Sequence, residues 1–443
     1  MTLQKKHISL STLSAILLCA MIVSTILLSG TEGGSTFNFG VTAVFVGVAT
    51  TTAVVEKRPF LFFPESLFLI LWLCYSLLPS MGAQDLDLAY IRMRQMVQII
   101  VIVLLSVNVM IWYGRTAIFA FVFFASAVSA YLTSLAGFGF GVIDEVVLQE
   151  LNSVDRVVGT HGNANKFGLI LLQAQLAALF FGVQAKNLYA RLAAALAFVV
   201  LAIAVINTGS RTALVGMIIV IFGLVWVFRV WKIRHMVRAL LMMGVIGLVG
   251  TVTYLSLEES DAVGDRLDSF LENEQVKDRY ENLLRLFGSF GDTDAIDNTV
   301  EGSASERSRL MEDAWDVAIG APLGLGLDNF RVHSGLYAHS NYFELLATTG
   351  FPGLALYIAL YIFMLRRLLA FGKDRSGSNA VVRVFAISVV TLMITDIVNV
   401  SYYSKPHWLF VALAIASIEL CRRTISTQRE PNRQSQTFAY STH

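Results

Sequence analysis

The sequence predicts an all-helical membrane protein of about twelve spans, with one large loop on the face opposite its termini. Three observations lead there. The 443 residues are 56% apolar and only 15% charged, whereas about 25% of a soluble domain is charged. Apolar runs near the roughly 17–25 residues needed to cross a bilayer recur along the whole chain. Lys and Arg gather in every second connection, as they do in cytoplasmic loops. With 30 Phe and 14 Tyr as well, no single aqueous core hides the apolar side chains, and lipid must solvate many of them.

The chain opens with Lys5, Lys6 and His7 before an apolar run over 8–29. That run is longer than the roughly 7–15 residues of a cleavable signal's core, and no A-x-A site follows, so it reads as a retained first span. The remaining candidate spans are 37–55, 64–81, 95–113, 116–137, 167–184, 192–208, 212–230, 239–257, 351–369, 382–402 and 406–421. Spans one to nine therefore occupy 1–257, a loop 258–338, the last three spans 339–421 and a polar tail 422–443. Placing the N-terminus inside puts 20 of the 33 Lys and Arg in inner segments. Seven of the others lie in the long loop, which translocates largely regardless of charge, so the contrast over short loops is 20 to 6. Both termini are then cytoplasmic.

The net charge of +1 gives no global field to draw in nucleic acid. Cys19, Cys74 and Cys421 all lie in apolar runs without metal-ligand spacing, which argues against disulfides and zinc. The 258–338 loop holds 18 of the 32 acidic residues. Within it Val276, Tyr280, Leu283 and Phe287 share one helical face, and 306–319 reads as a second helix ended by Gly320 and Pro322, followed by the turn-prone Gly324 to Leu327.

Three polar clusters stand at the outer ends of spans, all on one side by topology. The first, Gly159 to Lys166, presents backbone N–H groups and the amides of Asn163 and Asn165 to an anion, and reads equally as a turn and helix start. In the second, Asn207 to Thr212, Arg211 is a lone cation beside apolar sequence. It is either an interfacial snorkelling side chain or a bidentate phosphate grip. The third opens with His339 and Ser340 and closes with Gly350 and Gly353. A histidine there can accept a proton from a hydroxyl and is a candidate general base, although a lone His is more often structural.

His339-Ser340, nine residues, then Gly350-x-x-Gly353 matches the H-[NSQ]-x9-G-x-x-G pattern of bacterial O-antigen ligases. The chain resembles their superfamily from about Val158 to Leu369, including the Gly-Asn-Ala-Asn segment before span six and the Gly-Ser-Arg opening span eight. O-antigen and exopolysaccharide polymerases share this broad pattern. The resemblance implies an inverting, metal-independent glycosyltransferase of the C class in the bacterial inner membrane, with an extracytoplasmic site. Its donor would be a glycan on undecaprenyl diphosphate, its acceptor lipid A–core or another lipid-linked glycan, and it would need no cofactor. Arg211 would bind the diphosphate and His339 would stand by the acceptor. A loop arginine would complete the site: Arg309 is the choice, with Arg279, Arg285, Arg307 and Arg331 competing. Asn163, Asn165, Ser340 and Arg331 complete the candidate substrate-binding set. The resemblance implies no divalent metal, although Asp292-x-Asp294 in the loop keeps one open.

A secondary transporter also has twelve spans, with ionisable residues near mid-membrane in repeated halves. Asp396 and Glu419 are the main acids within the expected spans, and neither has an obvious partner in the opposite half of the chain. The pattern leans toward ligase over polymerase, and the acceptor separates the two.

Overall fold

The computed structural model describes residues 9–28, 34–135, 163–228, 300–371 and 379–439, and among them every regular element is a helix. In chain order these are α1 (Leu10–Leu27), α2 (Gly34–Val55), α3 (Pro64–Met81), α4 (Leu86–Tyr113), α5 (Thr116–Leu135), α6 (Ala164–Gln184) and α7 (Leu188–Asn207). There follow α8 (Arg211–Phe228), α9 (Val300–Gly320), α10 (Phe330–Ser334), α11 (Asn341–Phe371), α12 (Asn379–Thr395) and α13 (Lys405–Ala439). Eight of them, α1 to α7 and α11, are long and apolar enough to cross a membrane, and α8 and α12 carry shorter apolar stretches. The expected span 239–257 and the helical face 276–287 lie outside the described residues.

The chain divides into two compact units, and the second holds the described residues 221–228 and 300–309. In that unit the end of α8 exposes Ile221, Phe222 and Trp226. All other described residues belong to the first.

Local chemistry sets the helix ends. Asp85 accepts from Leu88 N–H at 2.9 Å to start α4, Asn187 accepts from Ala190 N–H at 2.7 Å to start α7, and Gly114 ends α4 in the left-handed conformation. The centre of the first unit is α6, flanked by α5, α7 and α12, while α13 packs on α4 and α11 on α3. Lipid is as apolar as Leu, so close packing of small residues holds membrane helices together. Gly168 on α6 shows this: a β-carbon there would stand 3.0 Å from the β-carbons of Ser210 and Ala213. Gly216 on α8 likewise packs against Leu172, Thr391 and Thr395.

Two expected spans have different limits. The expected 351–369 is the second part of α11, which starts at Asn341 and breaks at Gly350 (φ 66°, ψ −173°). The expected 382–402 ends at Thr395, and residues 396–404 form a turn-rich segment. Apolar Val398, Val400 and Tyr402 extend the hydropathy run although the helix has stopped.

Asp396 and Glu419 find their partners within their own half of the chain, and one further acid pairs across it. Glu65 of α3 is fully buried and accepts two bonds from Arg367 Nη1, at 2.5 and 2.6 Å. Arg367 Nη2 also reaches Glu419 of α13 at 3.5 Å. A buried charge persists only when paired, and sequence distance hid this pairing.

Candidate functional site

At the bundle end opposite Glu65, α11 begins with a helix broken after nine residues. Pro352 has no N–H to give Thr348 C=O, and Phe351 N–H turns away from its helical partner, Ala347 C=O. The 321–328 turn repairs both losses. Leu325 N–H donates to Ala347 C=O and Gly326 N–H to Thr348 C=O, each at 2.9 Å, and Phe351 N–H donates to Pro322 C=O at 3.1 Å. Gly324 and Gly326 adopt left-handed conformations, with φ of 96° and 94°. Ala314, Phe330, Ala338 and Ala347 form a small core beside this exchange, joined by Val317 and Phe343. The last part of the expected outer loop is therefore built into the first unit.

The same turn delivers Asp328 to Arg92 of α4. Arg92 Nη2 donates to Asp328 Oδ2 at 3.1 Å and to Tyr337 Oη at 2.9 Å, and Nη1 donates to Gln95 Oε1 at 2.8 Å. Its guanidinium lies 3.8 Å from the ring centroid of Tyr403, a cation–π contact strengthened by burial. Asn329 ties the turn to the start of α4, accepting from Asp85 N–H at 2.8 Å and donating to Asp85 C=O at 3.0 Å. Burial pushes the Tyr403 phenol up to about 12, against the opposing pull of Arg92. Burial raises Tyr337 as well, so both stay protonated at neutral pH.

Each of the three sequence clusters contributes to this end. From the first, Asn163 caps α6, its Oδ1 accepting from Asn165 N–H at 3.0 Å and Lys166 N–H at 3.1 Å. That oxygen serves the helix, and Asn165 is half-buried behind it. The exposed Lys166 places Nζ 6.0 Å from the Tyr403 centroid. From the second, Thr208, Ser210 and Ala213 pack on Gly168. Ser210 N–H donates to Thr208 Oγ1 at 3.2 Å, and exposed Arg211 opens α8. From the third, His339 is exposed with φ of 53°, and Ser340 is fully buried. Arg331, about a third exposed, sits 3.5 Å from Asp328 and 5.3 Å from the Tyr337 ring centroid. Arg309 is exposed on the part of α9 that belongs to the second unit. Arg279, Arg285, Asp292 and Asp294 lie outside the described residues, as does 159–162 of the first cluster.

The third cluster is anchored through Asn341. Its N–H donates to Asp396 C=O at 2.8 Å, and its Oδ1 accepts from Ser401 N–H and Tyr402 N–H, each at 3.1 Å. Tyr402 and Tyr403, adjacent in sequence, stack edge-on at 5.1 Å. The His339 turn, the 396–404 segment, Arg92 and Lys166 thus form one connected group. Sequence reasoning assigned no role to Arg92, Asp328, Tyr337, Tyr403 or Glu344. One signal was present for Arg92, a basic residue on the side where short loops hold only six.

Among the described residues no three His, Cys, Asp or Glu side chains form a metal-binding group. The buried Arg92 Nε, Asp328 Oδ1, Ser340 Oγ, Glu344 Oε1 and Tyr402 Oη make no hydrogen bond with the described residues.

Removing the Arg92 charge tests its ion pair. Arg92→Met is expected to cost roughly 3–5 kcal/mol, because it leaves Asp328 buried. Arg92→Met/Asp328→Asn should regain most of the loss, since Asn tolerates the left-handed conformation of Asp328, at φ 63°. Thermal unfolding in detergent measures both, and a double variant no more stable than the single would contradict the pairing.

Residues 196–358 match the family model described as O-antigen ligase. The match runs from α7 into α11 and contains Arg211 and His339. No curated protein matches the chain.

Proposed function

On the premise that residues 196–358 form a domain of the O-antigen ligase/polymerase superfamily, we propose that the protein is an O-antigen ligase. It moves a glycan from undecaprenyl diphosphate to lipid A–core, on the periplasmic face of the bacterial inner membrane. About twelve spans, with both termini cytoplasmic, place the 258–338 loop and the three polar clusters on that face. One observation carries the reading. The histidine motif folds as a broken helix at the bundle end where the Asn163–Lys166 and Thr208–Arg211 segments also pack, linked through Asn341, Tyr402, Tyr403 and Gly168.

In this reading the clusters supply the groups that the reaction needs. The acceptor hydroxyl oxygen attacks the anomeric carbon on the face opposite the diphosphate, and its proton passes to an imidazole nitrogen of His339. The bond from the anomeric carbon to the diphosphate oxygen breaks, and undecaprenyl diphosphate leaves with the electron pair. Arg211 grips the diphosphate as its negative charge grows, the stage at which a prepared cation lowers the barrier. Arg331 and Lys166 add positive charge around the cluster. Such a site needs no divalent metal.

The test is gel analysis of lipopolysaccharide from a deletion strain with and without the wild-type gene. Core lacking any attached O-antigen, with the ladder restored by the gene, supports ligase action. A single attached repeat supports the polymerase reading instead. An unchanged ladder removes lipopolysaccharide as the substrate.

A further inference from the structure

His339 has a left-handed backbone, at φ 53°. Few residues with a β-carbon adopt it, and neighbouring bonds hold this one there. Two buried carboxylates do so from either side. Before it, Ala338 N–H donates to Glu344 Oε2 at 3.0 Å. After it, Asn341 Nδ2 donates to Asp396 Oδ2 at 3.2 Å and to Tyr357 Oη at 2.7 Å. Asp396 is fixed in turn by Ser401 Oγ–H at 2.5 Å and Tyr357 Oη–H at 2.7 Å. Glu344, Asn341 and Asp396 are each no more than 1% exposed, so these bonds are shielded from competing water.

We propose that Glu344, Asn341 and Asp396 form a latch of positioning residues that aims the His339 imidazole at the acceptor hydroxyl. The latch acts through backbone and touches no substrate. The inference rests on the reading of His339 as the base.

A double-mutant cycle in purified full-length protein tests it, with transfer followed from lipid-linked donor to acceptor. Glu344→Leu keeps the volume and removes the acceptor for Ala338 N–H. It is expected to lower kcat about 10- to 100-fold, the scale of a displacement near 1 Å in a reacting group. The donor KM should change less than about threefold. Glu344→Gln keeps an acceptor oxygen and should recover most of kcat. The distinguishing readout is the residual rate in a His339→Ala background. A latch that works only through His339 has nothing left to aim, so Glu344→Leu should cost no further rate there.

A further fall in that background, or an undiminished kcat in Glu344→Leu alone, overturns the latch. If Glu344→Leu is not recovered folded, Glu344→Met, which also removes the acceptor at similar volume, is put through the same cycle and judged identically. Full turnover in His339→Ala itself would instead overturn the reading of His339 as the base, a separate failure.

Discussion

In reconstituted membranes, His339→Ala is expected to slow glycan transfer about 100- to 10,000-fold, the range over which a positioned general base contributes. Arg211→Ala should cost about 100- to 1,000-fold, as expected when one preorganised donor to a developing negative charge is lost. The two losses should differ in character. His339 acts on the acceptor's proton in the transition state, so its removal lowers kcat and leaves the donor KM little changed. Arg211 would hold the diphosphate in both ground and transition states, so its removal raises the donor KM while lowering kcat. Arg211→Lys keeps the charge but loses the planar fork, and should recover only part of the rate. Steady-state kinetics with varied donor separates these outcomes. Unchanged kcat in His339→Ala would refute its role.

Gly350→Ala is expected to destabilise the protein by roughly 3–5 kcal/mol and to abolish activity. With φ 66° and ψ −173°, Gly350 sits where glycine alone is comfortable, at a cost of about 1–3 kcal/mol to other residues. An added β-carbon would also stand 2.2 Å from Pro322 C=O and 2.5 Å from Leu323 C. These are backbone atoms that cannot rotate aside, and overpacking adds about 1–3 kcal/mol more. Moving them would break the bonds from Leu325, Gly326 and Phe351 that repair the helix break. Gly353→Ala should be costly as well, because an added β-carbon would stand 2.4 Å from Thr349 Cβ, an atom that no change of rotamer moves. Thermal unfolding in detergent is the measurement, and a variant of wild-type stability would show that the break does not need glycine.

The sequence made some of this legible because the information is local. Apolar runs reverse the side of the chain at each crossing, so counting them was enough to bring His339, Arg211 and Lys166 toward one end. Asn163 before Ala164 follows the local capping rule. The rest is not local. Arg92 meets Asp328 across 236 positions, Glu65 meets Arg367 across 302 and Asn341 meets Asp396 across 55. No periodicity encodes such pairs. Hydropathy failed at 396–404 for a related reason. Asp396 C=O and the N–H groups of Ser401 and Tyr402 are bonded to Asn341, which lets the helix stop inside an apolar run. Arg309 was chosen by its place in the loop, and nothing in its own neighbourhood in sequence separates it from its competitors.

The Glu65–Arg367 pair has a consequence for biogenesis. Arg367 leaves the ribosome 302 residues after Glu65, which at about 5–20 residues per second means a wait of roughly 15–60 s. Throughout that interval α3 carries a carboxylate whose partner does not yet exist, and an unpaired charge at membrane depth is costly. The N-terminal helices therefore reach the bilayer unfinished. Glu65 must stay protonated, hydrated at the interface or sheltered by the insertion machinery until α11 arrives.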